Sequence, residues 1–449
     1  MKDEQAHTPT PETLFSDRAL WQSWLDVEAA LARAQGEIGM IPAWAGKEIT
    51  RHARIEAIGE DRLRASIART MAPILSLTRC LAEDAGEAGR YVHWGATTQN
   101  VMQTGRLLLI RQARSGMNDT LARAFTRLAE LACAHAETPM AGRTNRRHAV
   151  PITFGFKVAG WIEELSRAVD RLDDAGGRTF RLPFGGAVGA FHGYGEDGPS
   201  LMSALARELG LGELVVPGRT VNDIFAEYVV QLGMFGMTTE RIAREAYVLM
   251  TEEIGEVSER LDAGVVGSST MPHKVNPKHV VRLQSECARL RAQTAPALES
   301  GLPSHEGDAA ANHLLSSVLD TAIPLGWTVA RDLERLLDRL EPHPDRMRHN
   351  LMRSGGLVAT ERLMMALAPV TGRSRAHDLV HHAVEELDET GAGLEETLLD
   401  LPEVRSLGET EVRALLDPAG YTGQSAAIAR QLAEAAKKRA EVLGSRPLR

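Results

Sequence analysis

The segment from Gly264 to Lys278 contains an unusual set of polar side chains. Its 15 residues include two glycines, two serines, two prolines and two lysines, and it connects two stretches with helical patterns. Lys274 and Asn276 could bind a carboxylate, and Ser268 or Ser269 could act as a nucleophile or a base. A connector of this length is often a binding loop or a mobile lid. Composition alone leaves a plain flexible connector as an equal alternative.

Long helices are predicted around this segment. No proline occurs between Pro217 and Pro272, and apolar residues recur there at roughly helical spacing: Ile242, Ala246, Leu249, Ile254 and Val257. Good helix formers fill the positions between them, so we predict a single helix of roughly 30 residues. Further long helices are predicted over residues 102–137, from Pro151 onward, over 278–295 and over 309–340, the last one kinked at Pro324.

These helix lengths predict an all-α protein built around a bundle, because each long helix must bury a continuous apolar stripe. Aromatic residues make up only 4% of the chain, which disfavours a β-sandwich or a barrel. Shorter helices are predicted on either side, including residues 17–36 and 61–85, the latter broken near Pro73. We therefore predict an N-terminal helical domain at 1–104, a central long-helix bundle at 105–345 and a C-terminal helical domain at 346–449.

The composition excludes several classes of protein. The 449 residues carry 51 Lys and Arg against 60 Asp and Glu, a formal charge of −9, which argues against nucleic acid or an anionic membrane as the main partner. No apolar run reaches the roughly 18 residues of a membrane span, and the N-terminus lacks the apolar stretch of a signal peptide. Cys80, Cys133 and Cys287 are scattered and fit neither a disulfide framework nor a zinc cluster. We therefore expect a cytoplasmic protein.

Three stretches together resemble the fumarase/aspartase superfamily. Every fixed position of its GSSxMPxKxN signature is met by Gly267-Ser-Ser-Thr-Met-Pro-His-Lys-Val-Asn276. Its first substrate-binding stretch is resembled by His93-Trp-Gly-Ala-Thr-Thr-Gln-Asn100. Its second is resembled by Gly142-Arg-Thr-Asn-Arg-Arg-His-Ala-Val-Pro151. The match is specific, because the three stretches also follow one another in the family's order.

The likeness spans nearly the whole chain and narrows to one branch of the family. Two segments resemble the 3-carboxy-cis,cis-muconate cycloisomerase branch: Phe15-Ser-Asp-Arg18 and Gly185-Gly-Ala-Val-Gly189. The tail from Gly355 is similar to a C-terminal domain that this branch shares with adenylosuccinate lyase. The resemblance implies a three-domain fold and a homotetramer whose long helices, five from each subunit, form a twenty-helix core. It also implies that each active site combines stretches from three subunits.

The reaction implied by the resemblance is an elimination next to a carboxylate, without a cofactor or a metal. Fixed donors stabilise the aci-carboxylate dianion that forms when the proton leaves. Ser268 matches the family's base, which needs a closed loop and N–H donors for its oxyanion, while Lys274 and Asn276 match the groups that hold the carboxylate. The other candidate substrate contacts lie in or near these stretches, and Arg146 and Arg147 among them replace neutral residues of the cycloisomerase branch: His93, Thr97, Thr98, Asn100, Arg143, Thr144, Asn145, Arg146, Arg147, Ser269, Met271 and Arg18.

Two departures from the family pattern predict the type of leaving group. Many members use a His–Glu pair as the acid, and this chain has Asn145 and Val281 at those positions. We therefore predict a leaving group that needs little protonation, such as a carboxylate in lactone opening or nitrite from a nitrosuccinate-type substrate. An amine leaves poorly without a proton donor, unless His148, the candidate catalytic acid, or His93 supplies the proton.

Several other polar groups are weaker candidates. Arg146 and Arg147 offer two-pronged donors for a carboxylate or nitro group, and ion pairs between subunits are an equal alternative for them. Arg353-Ser-Gly-Gly356 and Arg362 are candidates for reaching the site from the C-terminal part. His305-Glu-Gly-Asp308 could lie near the site, but a solvated loop is an equally good interpretation. His377, His381 and Glu385 could hold a metal ion, but a polar helix face is the better interpretation.

We therefore predict a lyase that performs anti-β-elimination on a succinate-type di- or tricarboxylate and releases fumarate. Three alternatives follow from the same residues. The first is the cycloisomerase reaction, an intramolecular version of the same chemistry. The second is a C–N lyase similar to adenylosuccinate lyase. The third is a catalytically silent scaffold protein, because a fold alone does not fix a function. The partner expected in the enzymatic cases is a small polycarboxylate.

Overall fold

The computed structural model describes residues 9–262, 264–271, 273–390 and 393–445, so Pro272 of the signature lies outside the described residues. The N-terminal helices are α1 (Asp17–Glu37), α2 (Ala43–His52), α3 (Ile55–Ile58), α4 (Glu60–Thr70) and α5 (Pro73–Asp84). The central helices are α6 (Thr98–Ala134), α7 (Phe154–Thr179), α8 (Gly198–Leu209), α9 (Asp223–Leu249), α10 (His279–Arg291), α11 (Thr294–Ser300) and α12 (Ala309–Arg339). The C-terminal helices are α13 (Pro344–Met352), α14 (Thr360–Thr371), α15 (Arg373–Thr390), α16 (Leu394–Asp400), α17 (Pro402–Arg405), α18 (Glu409–Leu415) and α19 (Ser425–Ser445).

Short strands pair in twos between the helices of the described residues. Strands β1 (Pro139–Thr144) and β2 (Arg147–Thr153) form an antiparallel hairpin. Strands β3 (Arg181–Leu182) and β4 (Gly212–Glu213) pair in parallel, and β5 (Val257–Glu259) pairs antiparallel with β6 (Leu340–Pro342). The first and third pairs position two of the stretches that carry the predicted chemistry.

Four long helices form the centre of the molecule. α6, α7, α9 and α12 are 37, 26, 27 and 31 residues long, and α6 packs against α7 and α12 while α9 packs against α7 and α10. Four successive residues of α6, Leu107 to Ile110, are all buried. Over this turn α6 is buried on every side, as in the interior of a bundle, and the all-α prediction is confirmed.

The ends of these helices follow from local side-chain chemistry. Thr153 precedes α7, and its hydroxyl accepts a hydrogen bond from the Phe156 N–H at 3.2 Å. Asp308 precedes α12, and its carboxylate accepts from the N–H groups of Ala310 and Ala311 at 3.0 and 3.2 Å. Both are N-caps that satisfy N–H groups left free in a first helical turn. Asp308, from the weaker candidate cluster His305–Asp308, therefore has a structural role.

Two details of the helix predictions were wrong. The helix expected to include Ile254 and Val257 ends at Leu249, because the chain turns at Gly255 with a φ of 60° and Val257 enters strand β5. Pro151 does not begin a helix. It lies in strand β2 opposite Ala141, and α7 begins at Phe154 instead. Apolar periodicity alone could not distinguish these short strands from continuing helix.

The apolar side chains form two separate cores among the described residues. The larger core contains residues from the N-terminal and central helices together with Ala433, Ala436 and Leu443 of α19. The smaller one lies within residues 363–416. Because α19 packs on α6 and α7, the last helix belongs to the larger core, as does Met347 of α13, and not to the smaller core within residues 363–416. The three-domain boundaries remain a prediction.

None of the helices in the described ranges is long and apolar enough to cross a membrane.

Candidate active site

The signature loop, defined as residues 260–277, is closed at its base by one carboxylate. Glu259 ends strand β5, and its side chain accepts hydrogen bonds from the N–H groups of Lys278 at 2.8 Å, His279 at 3.0 Å and Val280 at 2.6 Å. These N–H groups form the N-terminus of α10, which favours a negative charge. Glu259 is only 7% exposed. The two ends of the signature loop are therefore held together from within the chain.

The tip of the signature loop folds back on itself at Gly267. A Cβ atom at this glycine would lie 2.9 Å from the carbonyl oxygen of Lys274 and 3.0 Å from Cα of Val275. The Asn276 N–H donates to the Gly267 carbonyl at 3.4 Å. Only glycine allows this close approach of two backbone segments, which brings Ser268 next to the stretch that carries Lys274 and Asn276.

Ser268 is held by the backbone of its own loop. Its Oγ accepts hydrogen bonds from the N–H groups of Met271 at 3.2 Å and Thr270 at 3.5 Å. Such donors favour a negative oxygen, since each N–H points its positive end at the hydroxyl. Ser268 is half-buried, whereas Ser269, Lys274 and Asn276 are exposed. This geometry suits a serine that receives a proton, with an amine and an amide free to face a ligand.

The first stretch is built on a buried ion pair. His93 has a φ of 61°, and its Nδ1 lies 2.6 Å from Oε1 of Glu28, which is 1% exposed. Burial of the ring disfavours its charged form, but the hydrogen bond and the negative charge of Glu28 outweigh burial, so the pKa of His93 is raised. His93 therefore has a fixed orientation and a stabilised positive charge.

The far end of the first stretch opens helix α6. Thr97 is the N-cap residue and Thr98 the first helical residue, half-buried and exposed respectively. Asn100 is fully buried, its amide donating to the Pro183 carbonyl at 3.1 Å and accepting from the Gly186 N–H at 2.9 Å. Both amide ends thus bind backbone. In the single chain Asn100 positions the segment around Gly186 and does not face open space.

The second stretch is the β1–β2 hairpin. Thr144 pairs with Arg147, so Asn145 and Arg146 form a two-residue turn with φ values of 48° and 63°. Positive φ at both positions defines a type I′ turn, which asparagine tolerates far better than arginine. Thr144, Asn145, Arg146 and Arg147 are exposed at this tip. The turn therefore presents polar and basic side chains outward at some conformational cost.

Arg143 anchors the hairpin rather than pointing outward. Its guanidinium donates to both carboxylate oxygens of Glu256, at 2.9 and 2.6 Å. Glu256 is fully buried and also accepts from the Asn350 amide at 2.9 Å. A two-pronged contact to a buried carboxylate is strong and directional. In the single chain the guanidinium predicted to bind substrate is therefore occupied by Glu256.

A groove, here called the hairpin groove, lies between this hairpin tip and the start of the C-terminal helices. It has a volume of about 810 Å³, and its polar lining includes Arg146, Arg147, His148, Arg353, Ser354 and Glu361. The Nδ1 atom of His148 lies 2.8 Å from the Ser354 hydroxyl oxygen. Burial, and then the positive charges of Arg143 and Arg353, lower the pKa of His148, although Glu256 opposes them.

Two of the remaining candidates have partners outside these stretches. Arg18 forms ion pairs with Glu60 and Glu56 on neighbouring N-terminal helices, and its pKa is raised chiefly by the hydrogen bond to Glu60. Arg362 donates to the Ala414 carbonyl at 3.0 Å. Both side chains are therefore engaged in holding helices together.

The histidine cluster on α15 is exposed. His381 pairs with Glu385 at 3.4 Å, and the rings of His377 and His381 stack at 5.6 Å. Within the described ranges, no group of three or more His, Cys, Asp or Glu side chains could hold a metal ion.

The three stretches are not joined to each other in one described chain. Ser268 bonds its own loop, His93 bonds Glu28, and His148 bonds Ser354. Met271 is 41% exposed and stays at the loop tip. No hydrogen bond given by the described residues links the signature loop to either of the other two stretches. That the three stretches meet at one site therefore remains the prediction made from the resemblance.

Sequence reasoning missed the carboxylates that support these stretches. Glu28 lies 65 residues before His93, Glu256 lies 113 residues after Arg143, and Glu259 lies 19 residues before Lys278. No local spacing connects such pairs. The only available signal was the pair of glutamates flanking Val257 and Ser258, directly before the signature loop.

Two family models match long parts of this chain. A family model described as "Lyase" matches residues 5–291, and one described as "Adenylosuccinate lyase C-terminus" matches residues 356–432.

Two curated relatives and one solved structure illustrate the likeness. A 3-carboxy-cis,cis-muconate cycloisomerase from Pseudomonas aeruginosa is 39% identical over 438 residues, covering 94% of this chain and 93% of the relative. A nitrosuccinate lyase from Streptomyces davaonensis is 33% identical over 432 residues, covering 93% and 91%. The crystal structure of a fumarate lyase from Mesorhizobium has a TM-score of 0.86 at 35% identity, covering 94% of this chain and 97% of that one. The lyase model covers more than half of the chain and the relatives align along almost its full length, so the chain is an enzyme that belongs to the fumarase/aspartase superfamily of lyases.

Proposed function

We propose that this enzyme catalyses an anti-β-elimination on a succinate-type di- or tricarboxylate and releases fumarate with a leaving group of low basicity. The observation that carries the proposal is the environment of Ser268. Its Oγ accepts hydrogen bonds from two N–H groups of the signature loop, which also contains Lys274 and Asn276. A serine in such an environment can serve as an oxyanion base.

The reaction starts at the carbon next to a carboxylate. The Ser268 oxyanion takes the proton from this carbon, and the electron pair of the C–H bond forms the new double bond. The leaving group departs from the neighbouring carbon with the electrons of its bond, so charge and atoms balance. Lys274 and Asn276 stabilise the carboxylate that carries the developing charge. Thr97 and Thr98 bind the second carboxylate at the N-terminus of α6, where backbone N–H groups favour anions.

The character of the leaving group follows from the available acids. Asn145 and Val281 occupy the positions of the family's His–Glu pair. His148 has a lowered pKa, so its ring is neutral near pH 7 and is a weak proton donor. A leaving group that is stable as an anion avoids the need for a donor, and nitrite meets that condition. Similarity to a nitrosuccinate lyase supports this choice.

A second candidate is the cycloisomerase reaction, in which the leaving group is a carboxylate of the same molecule. It also needs no strong acid, and the 39% identical relative supports it. A C–N lyase is favoured less, because an amine requires a proton donor, and His93, the candidate acid with a raised pKa, is already paired with Glu28. A catalytically silent scaffold is disfavoured, because the chain belongs to a family of enzymes.

The working enzyme is proposed to be a cytoplasmic homotetramer without cofactor or metal. Ser269, Lys274 and Asn276 are exposed in the single chain, and a dry, closed site for the dianion requires cover from other subunits. Within the described residues Cys80, Cys133 and Cys287 are free thiols, which suits a reducing compartment.

The test is a panel of succinates with nitro, carboxylate and amine leaving groups, followed by identification of fumarate. We expect the nitro or carboxylate compound to react fastest. If the amine compound reacted fastest, the proposal of a leaving group of low basicity would be wrong. If no compound of the panel gave fumarate, the proposed elimination itself would be wrong. A cyclic lactone product from a muconate-type substrate would favour the second candidate.

A further inference from the structure

Arg219 lies between two segments that have no part in the proposed reaction, residues 185–189 and residues 305–308. It belongs to the connection between β4 and α9. A Cβ atom on the last glycine of the first segment would lie 3.0 Å from Cα of Gly218, the residue before Arg219. A Cβ atom at Gly307 would lie 3.4 Å from Nη1 of Arg219 and 3.6 Å from its Cζ. The guanidinium therefore lies against the backbone of the second segment, and the first segment packs on the residue before it.

The connection that carries Arg219 is held against the start of α6. Asn100, in the first turn of α6, binds backbone groups of residues 183 and 186 at 3.1 and 2.9 Å. Asn222, the N-cap residue of α9, accepts from the Gln103 amide at 3.5 Å and donates to the Asn312 side chain at 3.2 Å. Arg219 therefore lies at the end of the bundle where α6, α9 and α12 begin.

Arg219 has no acidic partner in the part of the chain that the structure describes. Its Nε is buried without a hydrogen-bond partner, and its guanidinium forms no ion pair with a described residue. The carboxylate of Asp308, next to Gly307, is already used. It accepts from the N–H and the hydroxyl of Ser304 at 2.9 and 2.7 Å, and from two N–H groups at the start of α12. A buried donor without a partner is rare in a folded protein and is explained by a ligand, an ion or a water.

We propose that Arg219 is a further substrate-binding residue, which binds the carboxylate on the carbon that carries the leaving group. This inference rests on the proposed function, in which Thr97 and Thr98 bind that carboxylate at the start of α6. A guanidinium offers two parallel N–H donors that match a carboxylate, whereas each threonine hydroxyl offers one neutral donor. Arg219 thus determines specificity for substrates that have a carboxylate beside the leaving group.

The experiment measures how tightly succinate binds, because succinate carries both carboxylates but no leaving group and is not consumed. Its Kd is measured by titration calorimetry at fixed ionic strength on the unmodified enzyme and on Arg219→Ala. The variant should bind succinate about 10- to 100-fold more weakly, the range expected for charge-assisted hydrogen bonds. Arg219→Gln keeps much of the side-chain packing and should show a loss of the same order. It decides the question if Arg219→Ala does not fold.

Arg181→Ala is the matched control, because it removes the same charge from an exposed position in β3. It should leave the Kd of succinate unchanged within about twofold, since exposed charges are screened. Guanidinium chloride, added to Arg219→Ala well below denaturing concentrations, should restore part of the affinity. Sodium chloride at the same ionic strength should not. A side chain with only a structural role would not show this difference between the two salts.

Three results would overturn the inference. The first is an unchanged Kd in Arg219→Ala or Arg219→Gln, as expected if an acid of another subunit occupied the guanidinium. The second is a loss of affinity that guanidinium does not restore. The third is no measurable binding of succinate to the unmodified enzyme.

Turnover of the succinate panel separates this inference from the proposed function. If Arg219→Ala weakens succinate binding but the unmodified enzyme releases no fumarate, the elimination is wrong and Arg219 still binds a carboxylate. If fumarate is released and the Kd of succinate does not depend on Arg219, the elimination stands and the role of Arg219 is wrong.

Discussion

The first stretch and the signature loop are proposed to carry complementary parts of the chemistry, and their surroundings differ sharply. Asn100 is fully buried and Glu28 is 1% exposed, so the first stretch is fixed by groups inside its own chain. In the signature loop, Ser269 and Lys274 are exposed and Val275 is 62% exposed. The base of the loop is held by Glu259 and by the ion pair of Asp262 with Arg339. The first region is positioned by folding of the chain, and we propose that the second gains its final order from substrate or partner subunits.

The largest effect expected from this difference is on turnover. Ser268→Ala removes the base but no buried contact, so kcat should fall by at least about 10²–10⁴-fold while the unfolding free energy stays within about 0.5 kcal/mol of the unmodified protein. Fumarate release and urea denaturation measure the two quantities. Ser269→Ala is the control and should retain most of the activity. Near-normal rates in Ser268→Ala would exclude the serine as the base.

For Asn100→Ala, the main effect is expected on the unfolding free energy of the protein. Removing this amide leaves the Pro183 carbonyl and the Gly186 N–H without their buried partner, which should destabilise the protein by about 2–3 kcal/mol. Urea denaturation tests this value. Gln99→Ala, one residue earlier and partly exposed, should change the free energy by less than about 0.5 kcal/mol. Equal unfolding free energies of the two variants would show that the buried amide of Asn100 does not stabilise the first stretch.

A smaller effect separates the shape of the signature loop from its chemistry. Gly267→Ala places a Cβ 2.9 Å from the Lys274 carbonyl oxygen and pushes the two sides of the loop apart. We expect a fall in kcat/KM of roughly tenfold with little change in unfolding free energy. Val266→Ala, at a position 64% exposed in the same loop, should keep normal kinetics. A large loss of stability in Gly267→Ala would mean that the loop is part of the folded core.

The smallest effect concerns pH and the pair of His93 with Glu28. The pKa of His93 is raised in the folded chain, so the pair stabilises fully below the ordinary histidine value of about 6.5 and loses this contribution as the pH rises through the raised value. The stability difference between the unmodified protein and Glu28→Gln should therefore shrink as the pH rises. Urea denaturation across this range measures it, and a difference that grows with pH would contradict the ion pair.

The sequence predicted the long helices well because their signals are local. The prediction over residues 102–137 agrees with α6 at Thr98–Ala134, since apolar periodicity and proline positions act within a few turns. The end of α9 was missed because the turn at Gly255 and the pairing of β5 with β6 depend on a strand about 80 residues away. The signature loop was identified from residue order, as Gly267 and Ser268 sit in one short pattern.

Partners of the candidate residues could not be predicted, because they are contributed by tertiary structure. Nothing near His93 points to Glu28, and nothing near Arg143 points to Glu256. The occupied state of Arg143 and the buried state of Asn100 follow from these distant groups. Sequence pattern thus indicates which side chains can do chemistry, and packing decides which of them remain free to do it.

The central claim is that the exposed signature loop works with a first stretch supplied by another subunit. Its most direct test is to mix Ser268→Ala protein with a Thr97→Ala, Thr98→Ala double variant, unfold and refold the mixture, and measure fumarate release against each parent. Random reassembly of a tetramer should restore about a quarter of normal activity, whereas mixing Ser268→Ala with Lys274→Ala, both changed in the same loop, should restore none. Activity that stays at the level of the parents in the first mixture would contradict the claim.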